Sequence, residues 1–179
     1  MDIAQMQAAA KGAGFEIAEP LDPGKLEFRQ DIRDMCAPDK CRHGYGKRWS
    51  CPPAGVPLEE LRDRAKAYAK GILVQTVCHM EDAFDYESVM ETAKLHSQNF
   101  NALADTLRDS GEDVFPMGAG ACRRCEECTY PDQPCRFPDR MITSMEASGL
   151  FVSQVCKDNA LPYYYGENTV AYCSCILYA

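Results

Sequence analysis

"GILVQTV", residues 71–77, is the stretch that decides the fold. Apolar side chains run through it almost unbroken, where a strand with one wet face would alternate. It reads as a strand covered on both faces by other elements. Before it, Pro57 opens a helix with Glu59 and Glu60 in the first turn and Leu58, Leu61, Ala65 and Tyr68 along one stripe. After it, Tyr86, Val89, Ala93, His96, Phe100, Leu103 and Leu107 recur at spacings of three and four, a long amphipathic helix closed by "DSG". Further out, residues 2–11 form a short helix capped by Asp2, and "FEIAE" and "KLEFR" are short strands around the turn "PLDPG". "DVFPM" is another strand. Asp139 caps a helix carrying Met141, Ile142 and Met145, Gly149 interrupts it, and a further helical piece runs to about Ala160. "TVAYCSCILY" closes as a strand apolar on both faces. The order predicts a single α/β domain over residues 1–179, with a mixed or mostly parallel sheet of four or five strands flanked by helices.

The chain has 179 residues, 46% of them hydrophobic, enough to bury an ordinary core without relying on metal or disulfides. Its net charge of −8 argues against nucleic acid or an anionic membrane surface as partner. No apolar run is long enough to span a bilayer. The start, "MDIAQMQAAAKGAGF", lacks the apolar segment of a secretory signal, which predicts a cytoplasmic protein. Eleven cysteines then need a reason, and an odd number in a reducing compartment points to metal rather than disulfides.

Seven of them fall in two loops, residues 36–55 and 120–138. In "GACRRCEECTYPDQPCRFP" the spacing is Cys122-x2-Cys125-x2-Cys128-x6-Cys135. Three cysteines at intervals of three wrap one loop around a compact inorganic body, and a [4Fe–4S] cluster needs four such thiolates. Zinc more often draws Cys-x2-Cys pairs from separate hairpins, and remains the alternative. The run departs from the bacterial ferredoxin pattern: its fourth cysteine comes after six residues instead of three, and proline stands at Pro138, not directly after Cys135. Cys135 therefore serves either this cluster or another.

In "CAPDKCRHGYGKRWSCPPAG" the cysteines are Cys36, Cys41 and Cys51, the last followed by two prolines. Only three are local. Either a fourth ligand comes from Cys78, Cys173 or Cys175, or an open position takes a substrate, or the three complement the second loop in one site, or they are ordinary small residues. Residues 40–51 carry Lys40, Arg42, Lys47 and Arg48 and no acid, which offsets thiolate charge or receives an anion or redox partner. His43 is a weaker candidate as ligand or proton carrier, and Tyr45 and Trp49 shield the loop from water. The simpler readings elsewhere are structural: Cys156, Cys173 and Cys175 as core residues, His96 as a satisfied core histidine, and Cys78 beside His79 at a strand end. Tyr163, Tyr164 and Tyr165 line a pocket or cover a sheet edge.

"CRHGYGKRWSCPP" together with "GAGACRRCEECTYPDQPCRFPDRMITSMEASG" resembles the predicted metal-binding proteins of bacteria and archaea grouped as domain of unknown function 2284. The resemblance runs from about Phe28 to the last strand. It implies that Cys36, Cys41, Cys51, Cys122, Cys125, Cys128 and Cys135 are the family's cysteines and that the other four are additions of this sequence. It implies metal and no particular reaction.

These features together predict a cytoplasmic iron–sulfur protein of an organism living with little oxygen. It would carry one or two [4Fe–4S] clusters and exchange electrons with a redox partner protein. A zinc-stabilised interaction or metal-handling module is one alternative, and an enzyme working through an open-coordinated iron at Cys36, Cys41 and Cys51 is another.

Overall fold

A computed structural model describes all 179 residues. Five strands form one sheet in the order β1-β2-β5-β3-β4, with β1 at Ile17–Leu21, β2 at Lys70–His79, β3 at Val114–Gly118, β4 at Thr143–Ser144 and β5 at Thr169–Tyr178. The sheet is mixed. β1–β2, β2–β5 and β5–β3 pair antiparallel, and only β3–β4 is parallel. The mostly parallel alternative is thus corrected: β2 and β5 each return alongside a neighbour in the opposite direction. The register sets Leu73 against Cys175 and Gln75 against Cys173.

Helices cover both faces, which is why β2 and β5 are largely apolar on both. On one face Ile72, Val74, Ile176 and Tyr178 pack against α1 (Ile3–Gly12) and the long α4 (Tyr86–Asp109), through Met6, Ala10, Phe100, Leu103 and Leu107. On the other, Leu73, Cys173, Cys175 and Leu177 pack under α3 (Leu58–Ala65) and α5 (Val152–Asp158). A single short turn, α2 (Gln30–Arg33), precedes the first cysteines in the chain. Asp2 caps α1 by accepting from the Gln5 N–H at 2.8 Å while Gln5 reaches back to the Asp2 N–H, a reciprocal box.

Two expected elements differ. "KLEFR" forms no strand: it runs from a 3-10 turn at Pro23–Lys25 into α2 and pairs with no ladder. The helix expected from Asp139 is absent. Pro138–Arg140 makes only a 3-10 turn, and the chain then extends into β4, where Ile142 and Met145 are buried against opposite faces of the sheet. Apolar residues at Met141, Ile142 and Met145 fit either period over so short a stretch, and pairing with β3 decides it. No helix is long and apolar enough to cross a membrane.

The segment before the first cysteines is fastened to the turn after β4. The Arg29 N–H donates to the Gly149 carbonyl at 2.8 Å. Gly149 has φ +78°, and a Cβ there would stand 2.6 Å from the Arg29 carbonyl oxygen. Gly149→Ala is expected to cost about 1–3 kcal/mol, since both the left-handed backbone and the close approach require glycine. Urea unfolding followed by circular dichroism measures it, as a lower midpoint at unchanged slope.

Candidate metal centre

The second cysteine loop fills the connection between β3 and β4, residues 119–142. Two arginines hold it to α4. Arg124, between Cys122 and Cys125, makes a two-pronged pair with Asp105 at 2.7 Å for each prong, and its Nε donates to the Arg140 carbonyl. Arg140, at the loop's exit, reaches Asp109 at 2.6 Å and Asp105 at 3.3 Å. Inside the loop the Arg136 guanidinium donates to the Glu127 carbonyl at 2.8 Å and the Thr129 hydroxyl to the Pro134 carbonyl at 2.9 Å.

Folded this way, Cys122, Cys125, Cys128 and Cys135 line one small cavity, with Trp49 and Met141 among its other walls. Cys135 is therefore brought to the same cavity as the other three. All four are partly exposed. No group of three or more His, Cys, Asp or Glu side chains is set to grip a single metal ion.

The first cysteine loop lies between α2 and α3 and has no regular structure. Cys51 is buried and Cys36 and Cys41 half-buried. A Cβ on Gly44 would stand 2.7 Å from the Cys51 Sγ, so glycine there leaves room for the sulfur. Burial disfavours the Cys41 thiolate, but backbone N–H groups of Tyr45, Gly44 and His43, with Lys47, outweigh it and lower its pKa. Cys36 goes the other way, pushed up to about 11 by burial and by the thiols of Cys41 and Cys51. Cys51 is raised by burial too, with Cys41 adding to it. These thiols penalise one another's ionisation, the condition that a bound cation relieves.

The two loops form one seam. Arg48 donates to the Cys122 carbonyl at 2.9 Å, and the Cys122 N–H reaches the Ser50 hydroxyl at 3.3 Å. The Trp49 indole N–H donates to the Gln133 carbonyl at 3.0 Å, and its ring meets Tyr130 edge-on at 4.9 Å. Trp49 therefore covers the second loop, not only its own. Arg48 likewise spends its charge on the neighbouring loop's backbone. His43 is exposed, and its backbone N–H, not its ring, is what serves Cys41.

The remaining cysteines, Cys78, Cys156, Cys173 and Cys175, are all buried. Cys156 and Cys173 approach to 3.6 Å between sulfurs, a contact that only the packing of α5 on β5 creates. His96 is held by the hydroxyls of Thr76 at 2.9 Å and Ser174 at 2.7 Å, and burial pulls its pKa down to about 4, a neutral core histidine. The Tyr165 hydroxyl donates to the side-chain amide oxygen (Oε1) of Gln75 at 2.5 Å, anchoring its loop to β2. The Asp105 clamp was not legible in the sequence. Its acid sits on the outer half of a helix turn, and its arginines lie in a loop.

A family model described as predicted metal-binding protein (DUF2284) matches residues 19–178. The chain belongs to this family. No curated protein and no solved structure matches it. The family is a predicted metal-binding one, and the match spans both cysteine loops of this member.

The clamp has a pH signature. Burial alone would raise the Asp105 carboxyl, but Arg124 and Arg140 outweigh it and hold it below the ordinary range. Its contribution is thus fully present above about pH 4, the unfolded carboxylate value, and is lost as pH falls through the depressed folded one. Asp105→Asn is expected to flatten this acid limb in stability-versus-pH curves. At neutral pH it should cost about 2 kcal/mol, less than the 3–5 of a fully buried pair because Asp105 keeps some exposure.

Proposed function

We propose that Cys122, Cys125, Cys128 and Cys135 hold a [4Fe–4S] cluster and that the protein carries single electrons to or from a partner protein in the cytoplasm. One observation carries this. All four cysteines line one cavity, and no three side chains there are set to grip a single ion. A zinc ion with bonds of 2.3 Å draws its sulfurs to within about 4 Å of one another. A cubane is a larger body and needs thiolates spread around it. The bound cluster would supply one-electron redox chemistry. The chain's own part is to fix the thiols, to shield them with Trp49 and Met141, and to leave an edge accessible at the partly exposed cysteines.

A second reading, an enzyme whose substrate meets metal at Cys36, Cys41 and Cys51, has its own support. An open pocket of about 390 Å³ lies beside Cys36, with Arg33 and Tyr45 on its walls. A guanidinium beside a metal-ligating thiol suits a small anionic substrate.

Iron and acid-labile sulfide per chain, measured on protein purified without oxygen, test both. About four irons mean one cubane and about eight mean two. Cys125→Ser is expected to abolish one cluster's worth, whereas Cys175→Ser, in the core, should keep the full count. Colourless protein holding zinc and no sulfide would end the electron-transfer account.

A further inference from the structure

Cys156 on α5 and Cys173 on β5 are both buried, and their sulfurs lie 3.6 Å apart, in contact. They belong to neither cysteine loop. A buried amide stands beside them. Gln75, which faces Cys173 in the β2–β5 register, donates from its Nε2 to the Cys156 Sγ at 3.5 Å and to the Pro162 carbonyl at 2.9 Å. Its Oε1 accepts from the Tyr165 hydroxyl at 2.5 Å. An amide that is 1% exposed beside an apolar core has to be paired, and here one of its partners is a thiol. Pro162 is exposed, so a single amide nitrogen spans from the Cys156 sulfur to the backbone of a surface loop.

The two thiols are unequal. Hydrogen bonds from the Cys173 thiol and the Gln75 amide favour a thiolate on Cys156 and outweigh its burial, so its pKa falls. The Cys173 pKa rises, because that thiol gives the proton of the shared bond and is itself buried. One sulfur is thus the nucleophile and the other holds a proton beside it, the division between an attacking and a resolving cysteine. Core packing alone accounts for two small side chains in contact. It does not account for an amide that donates to one of them.

We infer that Cys156 and Cys173 are a reversible redox pair that closes to a disulfide when the chain meets a hydroperoxide. The pair works whether or not the two loops hold a cluster. The Cys156 thiolate attacks one oxygen of the peroxide. The O–O bond breaks, the other oxygen leaves as water or an alcohol with the thiol's proton, and a sulfenic acid forms. The Cys173 sulfur then attacks the Cys156 sulfur. The S–O bond breaks, water leaves with the Cys173 proton, and the S–S bond forms. Two electrons pass from the two thiols to one peroxide. Two small-molecule thiols reverse the closure by exchange and leave joined as a disulfide. A bond that forms and reopens in a reducing compartment serves sensing, not structure. Closed, it ties α5 to the central strand β5 and pins the connecting loop that carries Tyr163, Tyr164 and Tyr165.

Trypsin puts the two sulfurs on separate peptides, residues 141–157 and 158–179, and neither contains a loop cysteine. The full chain, purified without oxygen, is exposed to hydrogen peroxide, denatured in excess N-ethylmaleimide and digested. The expected product is a linked peptide pair about 2 Da lighter than the two reduced peptides together, its bond assigned to Cys173 by fragmentation at Ser174. Dithiothreitol given to the folded protein before the maleimide is expected to return both thiols to the alkylated form. Cys173→Ser should instead leave a Cys156 sulfenic acid that dimedone captures, and Cys156→Ser should leave Cys173 alkylated. Three results would overturn the inference: both thiols still alkylated after peroxide in a chain that circular dichroism shows folded, a link from Cys156 to Cys175, or a link that forms only after urea has unfolded the protein. The peptide map of the unaltered chain decides by itself should either variant fail to fold.

Discussion

Two parallel neighbouring strands cannot be joined by a tight turn. The chain must leave one end of the sheet and come back to the other, and a helix usually makes the trip. Between β3 and β4 it is made by residues 119–142, which contain no helix longer than a single 3-10 turn. A segment without its own ladder has to be held by side chains. Here Arg124 and Arg140 hold it to Asp105 and Asp109 on the last turns of α4. The placement of four thiols around one cavity follows from that crossing and its ionic fastening.

The first loop leans on the second. Arg48, Trp49 and Ser50, three consecutive residues, each reach across to backbone or ring of the other loop. Within it, the backbone supplies what few side chains can. N–H groups around Cys41 stabilise a thiolate, and Gly44 stands aside for the Cys51 sulfur. The basic residues of "KCRHGYGKRWSC" are thereby divided in role. Arg48 is a strut, and Lys47 donates to the Arg42 carbonyl at 2.7 Å while its charge favours the Cys41 thiolate.

Much of the frame was legible because burial on two faces leaves a simple mark. The nearly continuous apolar runs of residues 71–77 and 169–178 are the two long central strands, and the three-and-four spacing of Tyr86 to Leu107 is α4. Strand direction was not legible, since an apolar run reads alike whichever way its neighbour points. The stretch around Ile142 failed for another reason: a two-residue strand has no period, and only β3 beside it makes it one. In the site, cysteine spacing drew attention to both loops and left Cys135 open. That Cys135 lines the same cavity and that Cys156 meets Cys173 are tertiary facts, set by contacts between residues far apart in the chain.

The position of β5 has a consequence for the order in which the molecule is made. It follows every other strand in the chain, yet it lies in the middle of the sheet and bridges β2 to β3. Until it emerges from the ribosome, the first two strands and the pair that flanks the cysteine crossing have no ladder between them. All seven loop thiols are thus synthesised before the platform beneath them exists. During that interval β3, where the cysteine crossing begins, has no central strand beside it.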